Sequence, residues 1–396
     1  MSAIDELLAE FCPDGVEYRE IGTVLNYEQP TKYLVASKDY SDEFVTPVLT
    51  AGKTFILGYT SETDGIYPAS SENPVIIFDD FTTDFKWVDF PFKAKSSGMK
   101  MLTVANELET SFRYVYYAMQ MIPYAPLDHK RHWISEYSHF EIPVPPIEVQ
   151  REIVRILDSF AELEAELEAE LEARRAQYAH YRDRLLSREN LEALDGKPVE
   201  MMRLGDVAGI FDGTHQTPKY VSSGIKFVSV ENIGNLTASN KFITEEAFDR
   251  EYKNPPERGD VLMTRIGSIG SCTVVETDEP LAYYVSLSLI KPNRELVIPK
   301  FLRHAIEGRD GRRSLYRRTI HTAVPIKINL GDVGKVEIPV PSFATQRKVI
   351  NILDRFDMLT TSLTGGLPAE IEARRQQYGY YRDRLLDFPR KAGDAA

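Results

Sequence analysis

The chain has 396 residues, is 43% hydrophobic, carries a formal net charge of -13 and holds two cysteines, Cys12 and Cys272. That length suits two or three cored domains, and with no apolar run near the ~18 residues of a membrane span and no basic-then-apolar start, we expect a cytoplasmic protein with no membrane partner. Two isolated cysteines support neither a disulfide framework nor a structural zinc site, and both read as packing residues.

In chain order, the first globular region covers residues 17 to 145, with short β-branched and aromatic runs such as "NPVIIFDDF" broken by Gly, Pro, Asn and Asp. Those runs predict strands, and Ser111 to Met121 reads as a short helix. The region leaves through "IPVPP", where proline cannot continue a ladder and forces an extended approach to a helix. That helix is expected from about Glu148 to Ser187. Its apolar residues Ile153, Ile156, Phe160, Leu163, Leu167, Leu171, Tyr178, Tyr181 and Leu185 keep spacings of three or four, or their multiples. Within it, "AELEAELEAELE" holds six glutamates from Glu162 to Glu172. A strict four-residue unit lets the leucine stripe drift by ~40° per unit, so something beyond core packing sets its length.

A second globular region spans residues 200 to 341, with strand-like "GIKFVSV", "GDVLMTRIG" and "CTVVE" and a short helix at Lys300 to Glu307. It leaves through "IPVPS" into a second apolar stripe, Val349, Ile352, Phe356, Leu359 and Leu363, which "TGGLP" interrupts; Pro368 is tolerable in the first turn of a restarted helix. These blocks are copies of the first. "EIPVPPIEVQREIVRILDSF" (141–160) recurs as "EIPVPSFATQRKVINILDRF" (337–356), and "EARRAQYAHYRDRLL" (172–186) as "EARRQQYGYYRDRLL" (372–386). A long acidic helix cannot keep its stripe dry alone, and the second copy supplies its partner. We therefore divide the chain into a first globular domain (1–147), a central long helix (148–190), a second globular domain (191–342) and a C-terminal long helix (343–396) with a break near 365–368.

The repeated exit-and-helix blocks resemble the conserved regions of the DNA-specificity subunits of Type I restriction-modification systems. "TPVLTAGKTFILGYT", "NPVIIFDDFTTDFKWVDFPFKAKSSGMKML", "FDGTHQTPKY" and "RGDVLMTRIGSIGSCTVVE" resemble their target-recognition domains, and the likeness runs from Phe11 to Leu386. The resemblance implies an α+β fold: two target-recognition domains separated by two long antiparallel helices in a coiled coil, with a pseudo-two-fold internal repeat. It implies a non-catalytic reader of double-stranded DNA in which each domain reads one half of a bipartite target. The helices would dock two modification subunits, adenine methyltransferases, and restriction/translocase subunits would complete the complex. No cofactor is expected in this chain; S-adenosylmethionine and ATP belong to the partner subunits. One AELE unit adds ~6 Å of helix, nearly two base pairs of B-form rise, so the repeat count can act as a ruler between half-sites. The competing reading is a coiled-coil scaffold without specific DNA readout.

The acidic total does not exclude this, because it averages unlike regions. Phe301 to His321 holds six arginines against one Glu and one Asp, and Lys86 to Lys100 mixes four lysines with aromatics. Phosphate contacts draw on such clusters, and Arg, Asn or Gln read base edges. In the second domain Arg312, Arg313, Arg317, Arg318 and His321 are the first choice, with a solvated face as the alternative. Thr214, His215, Arg265 and Ser268 follow, since Gly267 and Gly270 let backbone approach a ligand closely, unless they are turn glycines only. In the first domain the choice is Lys86, Trp87, Lys93, Lys95 and Lys100, backed by Thr50, Gly52 and Lys53; Trp87 reads more readily as core than as a stacking residue. The "HKRHW" segment, 129–133, fits a domain brace as readily as a phosphate contact. No catalytic or metal site is expected: "GSIG" lacks the phosphate-loop patterns, and Asp79, Asp80 and Asp84 lack the spacing of a metal nuclease.

Overall fold

The computed structural model describes residues 3–52, 54–128, 130–361 and 365–391. The chain divides into two compact units, 1–166 with 371–396 and 167–370. Among the described residues no helix is long and apolar enough to cross a membrane.

In the first unit, strands β1 (Glu17–Glu20), β2 (Leu25–Glu28), β3 (Thr46–Leu49), β4 (Ile56–Thr60), β5 (Val75–Asp79), β6 (Phe85–Val88), β7 (Lys93–Ala94), β8 (Met99–Val104) and β9 (Glu141–Val144) build three sheets. Their orders are β2-β8-β5-β6, β4-β3-β7 and the ribbon β1-β9. The run "VIIF" in β5 shows no alternation because both faces are buried. Ile76 and Phe78 pack with Leu102, Tyr114, Val115 and Trp133, while Val75 and Ile77 join Leu49, Val88, Phe92 and Met101 on the other side. Helix Phe112–Met119 starts at Ser111, whose hydroxyl accepts the Tyr114 amide.

The second unit repeats this plan, keeping the "EIPV" of the last strand and differing in the side chains of the strands before it. Strands β10 (Glu200–Arg203), β11 (Ala208–Asp212), β12 (Ile225–Val228), β13 (Phe242–Ile243), β14 (Val261–Thr264), β15 (Cys272–Val274), β16 (Leu281–Tyr283), β17 (Leu287–Pro292) and β18 (Glu337–Val340) follow the same order. The sheets are β11-β17-β14-β15, β13-β12-β16 and β10-β18, strand for strand the counterpart of the first unit. Even the parallel pair is kept, β3 with β7 and β12 with β16.

Each globular part is fastened to its helix by one buried glutamine. Gln150 accepts the Ser111 amide at 2.8 Å and donates to the carbonyls of Glu109 at 3.1 Å and Pro145 at 2.7 Å. Gln346 accepts the Ile298 amide at 2.8 Å and donates to Leu296 at 3.0 Å and Pro341 at 2.9 Å. Both are fully buried, so the three bonds satisfy groups that water cannot reach. They also align the two units residue by residue: Ser111 answers to Ile298, and Asp158 to Asp354. Beside the first clamp Arg113 pairs with Asp158 at 2.8 Å and the Tyr117 hydroxyl donates to the same carboxylate. Beside the second, Lys300 pairs with Asp354 and Arg303 with Asp357, both at 2.8 Å. His304, Asp354 and Asp357 offer ligand-type atoms within 4.8 Å of one another. The two cations already neutralise those carboxylates, so ion pairing accounts for the group.

Helix Ile147–Leu185 is continuous over 39 residues, about 58 Å at 1.5 Å per residue. In the first unit its early part runs antiparallel to helix Leu367–Leu386: Phe160 stacks on Tyr381 with ring centroids 5.4 Å apart, and Arg375 reaches Glu164 at 2.6 Å. In the second unit its later part packs on helix Phe343–Thr361 through Tyr178 and Tyr181 against Phe356, at 6.3 and 5.6 Å. Leu163 and Leu167 are half-buried and Leu171 is buried, while most glutamates between them face water. Leu363, expected in the second stripe, lies outside the described residues.

Candidate nucleic-acid interface

In the second unit three loops meet at one corner of the larger sheet: 213–224 after β11, 265–271 between β14 and β15, and 317–328 after helix Arg309–Tyr316. Arg265 joins them. It is only 6% exposed, holds both Asp212 oxygens through Nη2 at 2.8 Å and donates Nη1 to the Ile328 carbonyl at 3.1 Å. Its carbonyl accepts the Ile328 amide at 3.0 Å, and the Gly267 amide donates to Ile326 at 2.9 Å. Gly267 and Gly270 have φ of 82° and 89°, which a side chain would strain. The loops then present exposed His215, Ser268, Arg317, His321 and Lys327 to water. His215 is anchored on Asp212 at 2.9 Å, and the His321 ring lies 4.3 Å from that of Tyr316.

The same corner in the first unit uses the opposite placement of charge. Asp80 stands where Arg265 stands and pairs at 2.7 Å with Lys100, which also reaches Gln29 at 3.3 Å. Asp80 binds the third loop as Arg265 does, its carbonyl accepting the His132 amide and its carboxylate the Trp133 amide, both at 2.8 Å. Phe81, Thr82, Pro126, Leu127 and Asp128 line one shallow cleft of about 350 Å³ there. Lys130 and Arg131 are exposed on the same loop. Both corners are neutralised inside and expose basic side chains outside, Arg317 and Lys327 in the second unit and, in the first, Arg131 beside Lys130, which pairs with Asp128 at 2.7 Å, an arrangement that suits a polyanion.

The sequence model of the type I restriction modification DNA specificity domain matches residues 13–173 and 196–373. This chain belongs to the type I DNA-specificity family. It is 41% identical to the EcoR124I/EcoR124II specificity subunit of Escherichia coli over 98% of both chains. It is 28% identical to a putative type I restriction enzyme specificity subunit of Haemophilus influenzae, over 84% of this chain and 85% of that one. The crystal structure of an S subunit from M. genitalium shares the fold, with a TM-score of 0.51 at 18% identity, covering 94% of this chain and 95% of that chain. The protein is thus a specificity subunit, the DNA-recognition and non-catalytic component of a type I restriction-modification system.

Within this specificity subunit the residues expected from sequence separate into three groups. His215, Ser268, Arg317 and His321 come together on the loop face, with Thr214 half-buried behind them. Arg312 instead turns to the central helix and pairs with Asp183 at 3.1 Å, Arg313 is exposed beside it on helix Arg309–Tyr316, and Arg318 bonds the carbonyl and hydroxyl of Ser314. The five-residue basic cluster is therefore not one surface.

The lysine cluster of the first unit needs the larger correction. Lys100 and Lys93 are 1% and 4% exposed, and each is drawn inward by an acid: Asp80 for Lys100, and Glu62 at 2.7 Å for Lys93, which also donates to the Asp64 carbonyl. The Lys93 ammonium and the Ser37 amide hold Glu62 below the usual carboxylate range. Arg265 is likewise a buried post of the loop corner, not a free cation. Lys95 bonds the Tyr40 hydroxyl at 2.9 Å, and Lys86 is half-buried on β6. Trp87 packs on Phe112 and Tyr116, with the Arg113 guanidinium 4.7 Å over its ring, so it is core. Thr50 bonds the Thr54 carbonyl across a turn that includes Gly52, and Lys53 lies outside the described residues. Sequence reasoning passed over Lys327 and left Lys130 and Arg131, within "HKRHW", open between a domain brace and a phosphate contact; aligning the two copies by their strands is the signal that places all three on the loop corners.

Proposed function

We propose that each unit of this specificity subunit reads one half of a bipartite double-stranded DNA target with its three-loop corner, while the long helices set the spacer and dock two adenine methyltransferase subunits. Restriction/translocase subunits would join the same complex, with S-adenosylmethionine and ATP bound in the partners. The observation that carries this reading is the duplicated reader: the same strand order, the same glutamine clamp and the same three-loop corner occur twice on one chain. The AELE units then act as a ruler, because helix length is the variable that changes the distance between half-sites without touching either loop corner.

The loop face is tested with the subunit assembled with its own modification subunit. Replacing Arg317 and Lys327 by Glu is expected to weaken binding to the methylated motif and to lower the slope of log affinity against log salt by about two, one for each phosphate that is no longer neutralised. Arg312→Glu, which faces Asp183, should leave that slope unchanged. Fluorescence anisotropy over a salt series measures both, and equal slopes in all three proteins would remove these loops from the interface.

A further inference from the structure

Two side chains stand out among the apolar residues left in water. Leu127 is 102% exposed and Val324 is 100% exposed. Each sits in the third loop of its reader, the loop held by Asp80 in the first unit and by Arg265 in the second. A proline adjoins each, Pro126 and Pro325, and fixes one backbone angle beside the tip. Two other side chains are nearly as exposed, Val45 at 88% and Leu108 at 87%, but their counterparts in the second unit are Gly224, which precedes β12 as Val45 precedes β3, and Glu295. Among the described residues, full exposure of an apolar side chain is duplicated only at the loop tips.

A leucine in water contributes nothing to folding, and a loop that needed only phosphate contacts would carry a polar residue there. The flanking groups say what the tip meets. Arg131 is exposed on one loop beside Lys130, which pairs with the exposed Asp128 at 2.7 Å, and Arg317, His321 and Lys327 are exposed on the other. An apolar point with exposed basic residues on the same loop, Arg131 in one unit and Arg317 and Lys327 in the other, matches a base step framed by phosphates, where an inserted aliphatic side chain unstacks the bases and kinks the duplex.

Resting on the proposed reading of the loop corners, we infer that Leu127 and Val324 are wedges, one in each reader, that insert at a base step within or beside each half-site and bend the DNA. The wedge makes the deformability of that step part of the specificity, in addition to base-edge contacts. A protein partner is the other occupant that such a tip could meet, and the cations around it favour DNA.

The test uses the complete complex with the modification subunit and duplexes carrying the methylated motif. The duplexes have end labels for energy transfer and 2-aminopurine placed at each half-site position in turn. Wild type should raise 2-aminopurine fluorescence at one step per half-site and shorten the end-to-end distance. Leu127→Ala should abolish the signal in one half-site, reduce the bend and weaken binding about tenfold; Val324→Ala should do the same in the other, and Leu127→Met should behave as wild type. An abasic site at the affected step should restore the affinity of Leu127→Ala. Unchanged affinity, bend and fluorescence in both alanine variants would overturn the wedge while leaving the loop readers intact. Loss of methyltransferase assembly without a change in 2-aminopurine signal would assign the tips to a protein contact and also overturn it. A wild-type complex that shows no preference for the motif would instead overturn the reader assignment, and the wedge with it.

Discussion

Asp80 and Lys100 show why a basic residue in a sequence is not yet a binding residue. Both are 1% exposed, and Asp80 also receives the Trp133 amide. Removing one member leaves the other charged and unpaired in the interior, so Lys100→Met is expected to cost roughly 3–5 kcal/mol of stability. Asp80→Asn with Lys100→Met, which keeps an acceptor for Trp133 and no lone charge, should recover much of that loss. Chemical denaturation of the three proteins checks the pair, and equal stability of the single and double variants would contradict it. Part of this was legible. "GMKMLTV" has the apolar neighbours of a strand covered on both faces, which is no place for a solvated lysine. The rest was not, because the acids that draw Lys100 and Lys93 inward lie on separate segments, at Asp80 and Glu62, and nothing local in the sequence pairs them.

The helices were the most readable elements, since a stripe at spacings of three and four depends only on neighbours along one chain, although Ile352 and Leu359 of the second stripe are exposed. The central helix was expected over Glu148 to Ser187 and runs Ile147–Leu185, and a new helix begins at Leu367 with Pro368 in its first turn. The docking of helix Pro299–Glu307 on helix Phe343–Thr361 was not readable, because its ion pairs join residues some 54 positions apart. There the His304 ring, 3.7 Å away, and the Lys300 ammonium at 2.8 Å hold the Asp354 carboxyl down to about 2. A carboxyl depressed in the folded state contributes stability above its unfolded pKa near 4, and loses it as pH falls toward the folded value. The stability gap between wild type and Asp354→Asn should therefore be largest near neutral pH and shrink below about pH 4. Urea unfolding at a series of pH values measures the gap; one that grows on acidification would contradict the assignment.

For the molecule as a whole, the duplication of the exits and helices was plain in the sequence, whereas that of the readers showed only as a faint echo between "VEYREIGTV" (16–24) and "VEMMRLGDV" (199–207). The stem blocks keep their residues because matching apolar stripes and a clamp glutamine leave little choice. The readers keep only backbone order: β5 reads "VIIFD" and β14 "VLMT", and the corner that one builds on Asp80 with Lys100 the other builds on Arg265 with Asp212. Each corner is closed by one pair of opposite charges with the signs exchanged, so the same loop arrangement is held by different side chains. On the proposed reading, a protein built this way would separate two variables, the bases recognised by each corner and the spacer set by the helix.

That separation is tested most directly by sequencing the methylome of a methylation-free host that carries this chain with its own modification subunit, beside the same strain with Ala165 to Glu168 deleted. The account predicts a bipartite adenine-methylated motif in both strains, with the same half-site bases and a spacer shorter by one or two base pairs in the deletion strain. An unchanged spacer, altered half-site bases or a contiguous motif would contradict it.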